Sequence, residues 1–322
     1  VLLRTLILPT AVSLAIIVIL YSGTDLRSLW DGIRSADPAW LGVYALLGLV
    51  DPVLRGFRWH SLVGRGRVGQ AVRAVFVGKA GNNLLPARIG DAMRIQMTRD
   101  LSGAPYRRVV ASVLAETVLD LSVLAVLTLL LAFLAAGRAN ILQAGLAAAA
   151  ILAAVFAVIL HGGPSRLLLR SGRGPARAAG LILEHVARSI RERGARVLLT
   201  TGAIWVSALA SSWSGLEAFL PGVTPVGVIA SIVFVYFSVL IPSAPGFIGS
   251  YHAAVAGAVL LMGYGFEEHA ALPLVLHLVQ YVMQTSAGLF LGFGFIFGHD
   301  WRRVWADLSD ARRRLLKGED QA

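Results

Sequence analysis

No cysteine occurs in the 322 residues. Disulfides, thiolate metal centres and a cysteine nucleophile are therefore excluded. Lysine is nearly missing as well. Lys79 and Lys317 are the two present, and every other basic residue is arginine, a bias that points to a GC-rich prokaryotic genome. Charge is scarce: Asp, Glu, Lys and Arg make up 15% of the chain, against about 25% in a soluble domain. The signatures of soluble enzymes are absent too. There is no Gly-x-Ser-x-Gly, Walker loop, Asp-x-Asp or His-Glu-x-x-His, and no polar stretch long enough for a catalytic domain. These absences argue against an ATP-driven pump and lead us to expect a non-enzyme with no cofactor and no metal.

What is present is apolar. Hydrophobic residues reach 57% and the mean hydropathy is +0.72, which predicts a polytopic membrane protein. The net charge of +11 does not point to nucleic acid, because the arginines flank apolar runs. Full spans are expected over 6–20, 39–60, 109–134, 141–160, 197–219 and 271–297. No small-x-small cleavage site follows the first, so it reads as a retained span. Residues 161–196 carry arginines among Leu and Ala, and Leu181, Ile182, His185, Val186 and Ser189 suit a surface amphipathic helix. Residues 299–322 read as a second basic interfacial segment. With the N-terminus inside, all but Arg27, Arg34 and Arg138 of the 29 arginines and lysines fall on the cytoplasmic side. The expected location is a prokaryotic cytoplasmic membrane with both termini inside.

One stretch breaks the apolar pattern. Gly81 to Arg94 holds Asn82, Asn83, Pro86 and Gly90, all poor helix-interior residues, between helical flanks. A second break of the same form runs from Ile241 to His252. Both contain Pro-x-x-Ile-Gly, as Pro86, Ile89 and Gly90 and as Pro245, Ile248 and Gly249, offset by 159 residues. The expected fold is an all-α membrane protein with six full spans and two broken, re-entrant helical hairpins. Units 39–134 and 197–297 would form an inverted repeat within one integral domain, 1–322, and such paired interrupted segments point to a binding site near the midplane.

The polar residues around the breaks are the candidate ligand-binding set. A helix restarting after Pro86 or Pro245 presents free N–H groups, and Gly246 and Gly249 permit close approach. With Arg88 and Arg94 as bidentate donors, the two ends would bind an anion; alternatively, both arginines pair with Asp91 on one helix. Glu116 and Asp120 share one face of a span. They read as an ion relay, or as counter-ions to Arg55, Arg88 or Arg94. Asp51 and Arg55 are spaced for an internal pair. Asn82, Asn83, Ser243, Tyr251 and His252 line the breaks. His277 and Gln280, with Gln284, form a polar face that suits hydrogen bonding better than metal binding.

These motifs resemble a known family. Asn83-Leu84-Leu85-Pro86-Ala87-Arg88-Ile89-Gly90-Asp91, with Arg94, is similar to the N-x-L-L-P-A-R-x-G-[E/D]-x-x-R motif of the lysylphosphatidylglycerol synthase transmembrane-region, or flippase-like, family. Glu116 and Asp120 resemble its E-R-x-x-D motif, with Thr117 in the arginine's place. Pro245 to Gly249 resembles its P-G-G-L-G-x-x-E motif, with His252 in the glutamate's place. The resemblance implies movement of a lipid between leaflets, here by a stand-alone member without a synthase domain. The expected ligand is an anionic phospholipid or a polyprenyl-phosphate-linked lipid. The expected partners are membrane lipid and a separate lipid-modifying synthase or glycosyltransferase. The alternatives are a membrane transferase using Glu116, Asp120 or His252 as acid or base, and a subunit that presents lipid to a synthase.

Overall fold

The computed structural model describes residues 2–86, 88–135, 163–170, 174–239, 241 and 243–298. Among these, every regular element is helical. In order they are α1 (Leu2–Tyr21), α2 (Leu26–Ser35), α3 (Pro38–Val63), α4 (Val68–Leu84), α5 (Ile89–Ser102), α6 (Tyr106–Ala135), α7 (Gly163–Arg170), α8 (Gly174–Glu217), α9 (Pro225–Ser238), α10 (Ser250–Leu261) and α11 (Ala271–Gly298). Short 3-10 turns cover Pro245–Phe247 and Glu267–His269.

Among the described residues, four helical stretches are long and apolar enough to cross a membrane: Pro38–Val63, Arg108–Leu134, Arg191–Glu217 and Glu267–Phe295. They coincide with four of the six expected spans. A fifth results if Ile7–Tyr21 and Leu26–Ser35 count as one broken span, although the two meet at 88°. The expected span 141–160 and the basic tail 299–322 lie outside the described residues. Apolar side chains point outward in numbers that water would not tolerate; Phe290 is 86% exposed. A lipid solvent accounts for this, because acyl chains solvate such residues as well as a protein core does.

Local chemistry sets the helix ends. Asp37 accepts hydrogen bonds from the Ala39 and Trp40 amides at the start of α3, and Gly64 closes it in the left-handed conformation. Thr224 caps α9, with Pro225 at its first position. The basic segment and the expected fifth span are one helix, α8, kinked at Arg193 (φ −137°, ψ 24°). There the Arg193 guanidinium donates to the Ser61 carbonyl of α3 at 2.8 Å.

Both sequence breaks interrupt helices. After α4 the chain extends at Leu85, and Arg88 turns it in the left-handed region (φ 55°) before α5 begins. In the second break Gly246 (φ 72°), Phe247 (φ 60°) and Gly249 (φ 87°) do the same work. Arg88 and Phe247 are the two non-glycine residues with positive φ among those described, and they too lie 159 positions apart. Displaced by 159, α5 covers 248–261, against 250–261 for α10. Each short helix packs on its successor, α4 on α5 and α9 on α10. At the first crossing a Cβ on Gly90 would strike the Gly78 carbonyl and the Asn82 amide, so the two backbones are in direct contact.

Candidate functional site

Asp51 sits halfway along the 26 residues of α3, about 18–20 Å from either end at 1.5 Å per residue. A carboxylate at that depth needs partners. Arg55 supplies one, its Nε lying 2.9 Å from Asp51 Oδ1, and Lys79 of α4 supplies another at 3.0 Å. The chain of charges continues. Arg55 Nη1 reaches Asp120 Oδ2 at 3.0 Å, and its Nη2 donates to the Tyr236 hydroxyl at 2.8 Å. Arg58, fully buried, binds both Asp120 oxygens, at 2.6 and 3.0 Å, and lies 3.6 Å from Glu116. Glu116 pairs with Arg94, whose guanidinium lies 3.9 Å above the Trp59 ring. Four cations, Arg55, Arg58, Lys79 and Arg94, thus meet three carboxylates, Asp51, Glu116 and Asp120.

Beside this network lies a cavity of about 180 Å³. Tyr44, Gly48, Asp51 and Arg55 form its α3 wall, at spacings that share one helix face. Lys79 of α4 borders it, with Ser207 and Ser211 of α8 opposite. Ser231 and Tyr236 of α9, Tyr251 of α10, and Gln280 and Gln284 of α11 complete the lining. Ser207 Oγ is buried without a hydrogen-bond partner among the described residues. The glutamines have a structural reason to be here. Pro52 lacks the N–H that would bond the Gly48 carbonyl, and Gln284 Nε2 donates to that carbonyl at 3.3 Å. Gln280 donates to the Tyr44 carbonyl one turn away.

The adjoining stripe of α11 braces the breaks. His277 contacts the Gly246 carbonyl through Nε2 at 2.8 Å, Tyr281 donates to the Asn83 carbonyl at 3.3 Å, and Thr285 accepts from Asn83 Nδ2 at 2.9 Å. These three residues recur every four positions, so one stripe of α11 holds both tips. The tips also touch each other: a Cβ on Gly246 would sit 3.2 Å from the Asn83 carbonyl oxygen. Ser13 of α1 closes the second break from outside, accepting from the Ala244 amide and donating to the Ile248 carbonyl, both at 2.7 Å.

The sequence-derived candidates separate into groups. Tyr251 and Gln280 line the cavity. Arg94, Glu116 and Asp120 belong to the charge network, with Arg94 on Glu116 rather than on Asp91. Asn83, Gly246 and His277 form the contact between the breaks. His252 is buried beside it, its Nδ1 accepting from the Gly249 amide at 3.3 Å. Asn82 and Arg88 both hold Asp91, at 3.1 and 3.0 Å. Ser243 lies half-buried in the second break. Arg88 and Arg94 are not brought together, since the Arg88 side chain is 58% exposed and that of Arg94 13%.

Sequence reasoning passed over Arg58, Lys79, Tyr44, Tyr236 and the serines of α8. Positions 51, 55 and 58 share one helix face, and that spacing is the available signal for Arg58. The serines carry no pattern of their own; only the packing of α8 against α3 gives them a role.

Comparison with known proteins adds the following. "Glycosyltransferase AglD" of Haloferax volcanii is 30% identical over 146 residues, which is 44% of this chain and 21% of that protein. The matched stretch therefore spans about a fifth of that relative's length. No solved structure matches the chain. The family described as lysylphosphatidylglycerol synthase TM region matches residues 6–288. With membrane-length helices, two interrupted segments and a match over nearly the whole described chain, this multi-pass membrane protein belongs to the lysylphosphatidylglycerol synthase TM region family.

Proposed function

We propose that the protein moves an anionic lipid, a phospholipid or a polyprenyl-phosphate-linked species, between the leaflets of a prokaryotic cytoplasmic membrane. The headgroup passes through the cavity beside the charge network while the tails stay in the bilayer. The observation that carries this reading is the cationic surplus at mid-helix depth. A buried charge without a counter-ion is costly, and an anionic headgroup beside Lys79 supplies the missing one. Arg88, exposed at the first break, offers a cation on the way in. Units 39–134 and 197–297 act as an inverted repeat, supported by the 159-residue offset shared by Pro-x-x-Ile-Gly, the helix bounds and the left-handed residues. The protein carries out no chemistry on the lipid. Glu116 and Asp120, two of the three acid–base candidates, are held by arginines, which favours a carrier over an enzyme. The partial likeness to a protein described as a glycosyltransferase supports a second reading, in which the chain presents lipid to a separate synthase or glycosyltransferase.

The test is transfer of a fluorescent anionic phospholipid across proteoliposome leaflets. Lys79→Met should slow it by about tenfold or more, the equivalent of one charge-assisted hydrogen bond. Transfer at the wild-type rate by folded Lys79→Met protein would refute the cavity route. Orientation is testable in the same Cys-free background. A cysteine at Arg177 should label only from the cytoplasm and one at Glu267 only from outside; labelling of both from one side would overturn the proposed topology.

A further inference from the structure

We infer that the cavity recognises a headgroup with a polyhydroxylated ring, a sugar or cyclic polyol, joined to a single phosphate, rather than a bare phosphate. The inference rests on the proposed lipid-binding role of this same cavity and names its ligand class.

Many of the hydrogen-bonding positions around the cavity already have partners. Phosphate is best bound by paired N–H donors, above all an arginine fork. No arginine here presents an unengaged fork. Every nitrogen of Arg55 already has a partner, Nε in Asp51, Nη1 in Asp120 and Nη2 in Tyr236, which takes three of its five N–H groups. Arg58 turns both terminal nitrogens to Asp120. Lys79 has three N–H groups, of which one faces Asp51 at 3.0 Å and one the Gln284 carbonyl oxygen at 3.4 Å. It keeps one donor for an anion, enough for one phosphate oxygen and too few to enclose a phosphate.

Most of the other open polar groups on the wall are hydroxyls. Ser207, 7% exposed, places an unpartnered Oγ on the cavity wall, and Ser231, equally buried, stands on the adjacent helix. Tyr236 accepts from Arg55, which leaves its own O–H to donate into the cavity. Tyr251 shares one contact with Tyr44 at 3.3 Å and also faces the cavity. Each hydroxyl both donates and accepts, as does each hydroxyl of a sugar or polyol ring, whereas a phosphate at neutral pH mainly accepts. An apolar or acceptor-only group would leave these buried hydroxyls unsatisfied, which is the basis on which such sites reject analogues lacking hydroxyls. The cavity volume of about 180 Å³ leaves room for a small ring.

The full-length protein in phosphatidylcholine nanodiscs would be titrated with dioctanoyl phosphatidylinositol, dioctanoyl phosphatidic acid and free inositol phosphate. Phosphatidylinositol should bind about tenfold or more tightly than phosphatidic acid, from two or more neutral hydrogen bonds. Ser207→Ala with Tyr236→Phe, checked for an unchanged melting curve, should remove most of that advantage and bring the two lipids together. Phosphatidic acid binding as tightly as phosphatidylinositol to the wild-type protein would overturn the inference while leaving anionic-lipid transport standing. Free inositol phosphate binding as tightly as the lipid would support the ring chemistry but overturn the lipid reading of the site.

Discussion

Replacing Arg58 by methionine should destabilise the protein by about 3–5 kcal/mol, the cost of breaking a buried ion pair from one side. The Arg58 side chain is fully buried, and its two terminal nitrogens hold both oxygens of Asp120. Its Nε also faces Glu116. Methionine fills much of the same volume but leaves Asp120 with Arg55 alone and moves Glu116 wholly onto Arg94. The measured quantity is the unfolding free energy in detergent micelles, with helix content as the signal. Adding Asp120→Asn should recover most of the loss, because the stranded charge, and not the missing packing, dominates it. The same double-mutant comparison gives the coupling between the two residues directly. A small loss in the single variant would mean that water reaches Asp120 and that the network is not buried in the membrane. A loss unchanged by Asp120→Asn would place the effect in packing rather than charge.

Gly90→Val should be nearly as damaging, at about 3 kcal/mol or more, above the usual range for overpacking because the clash is with backbone. The added Cβ would meet the Gly78 carbonyl, the Asn82 amide and the Asn82 side-chain oxygen. None of these can move without shifting α4 or α5. Gly81, opposite, has the Gly90 Cα within 2.7 Å of where its own Cβ would stand, so the crossing tolerates no side chain on either helix. Glycine is otherwise a poor helix residue, and where space is open the sign reverses. Gly42 and Gly202 have nothing within 4 Å, and alanine at either should stabilise by about 0.5–1 kcal/mol. Equal effects at Gly90 and Gly42 in the same unfolding assay would show that the α4–α5 crossing does not hold the first break.

Much of this architecture is legible without coordinates. An apolar surplus with charge at 15% leaves few options beyond membrane helices, because a bilayer requires that backbone groups be satisfied within each segment. The two breaks are local as well. Pro86 and Pro245 cannot continue the helices before them, and the Pro-x-x-Ile-Gly spacing anticipates a turn that only an unusual φ can make. The Asp51–Arg55 pair follows from helical periodicity alone. The right-angle turn between α1 and α2 did not, because it depends on how α2 rests against α11.

The partners of the long-range charges were decided only by tertiary packing. Arg88 and Arg94 look equivalent on paper, six residues apart beside one Asp. Their different fates, one exposed on Asp91 and one buried on Glu116, depend on which face of α5 meets α6. Arg58, near the end of the expected span 39–60, has no evident partner until α6 brings Asp120 to it. The cavity is invisible in any one segment, because each helix contributes only one to five residues to it and its walls come from two groups of helices, α3 and α4 and then α8 to α11, far apart in the chain. Periodicity specifies which residues share a face; which faces meet is set by close packing, and that is a property of the whole chain.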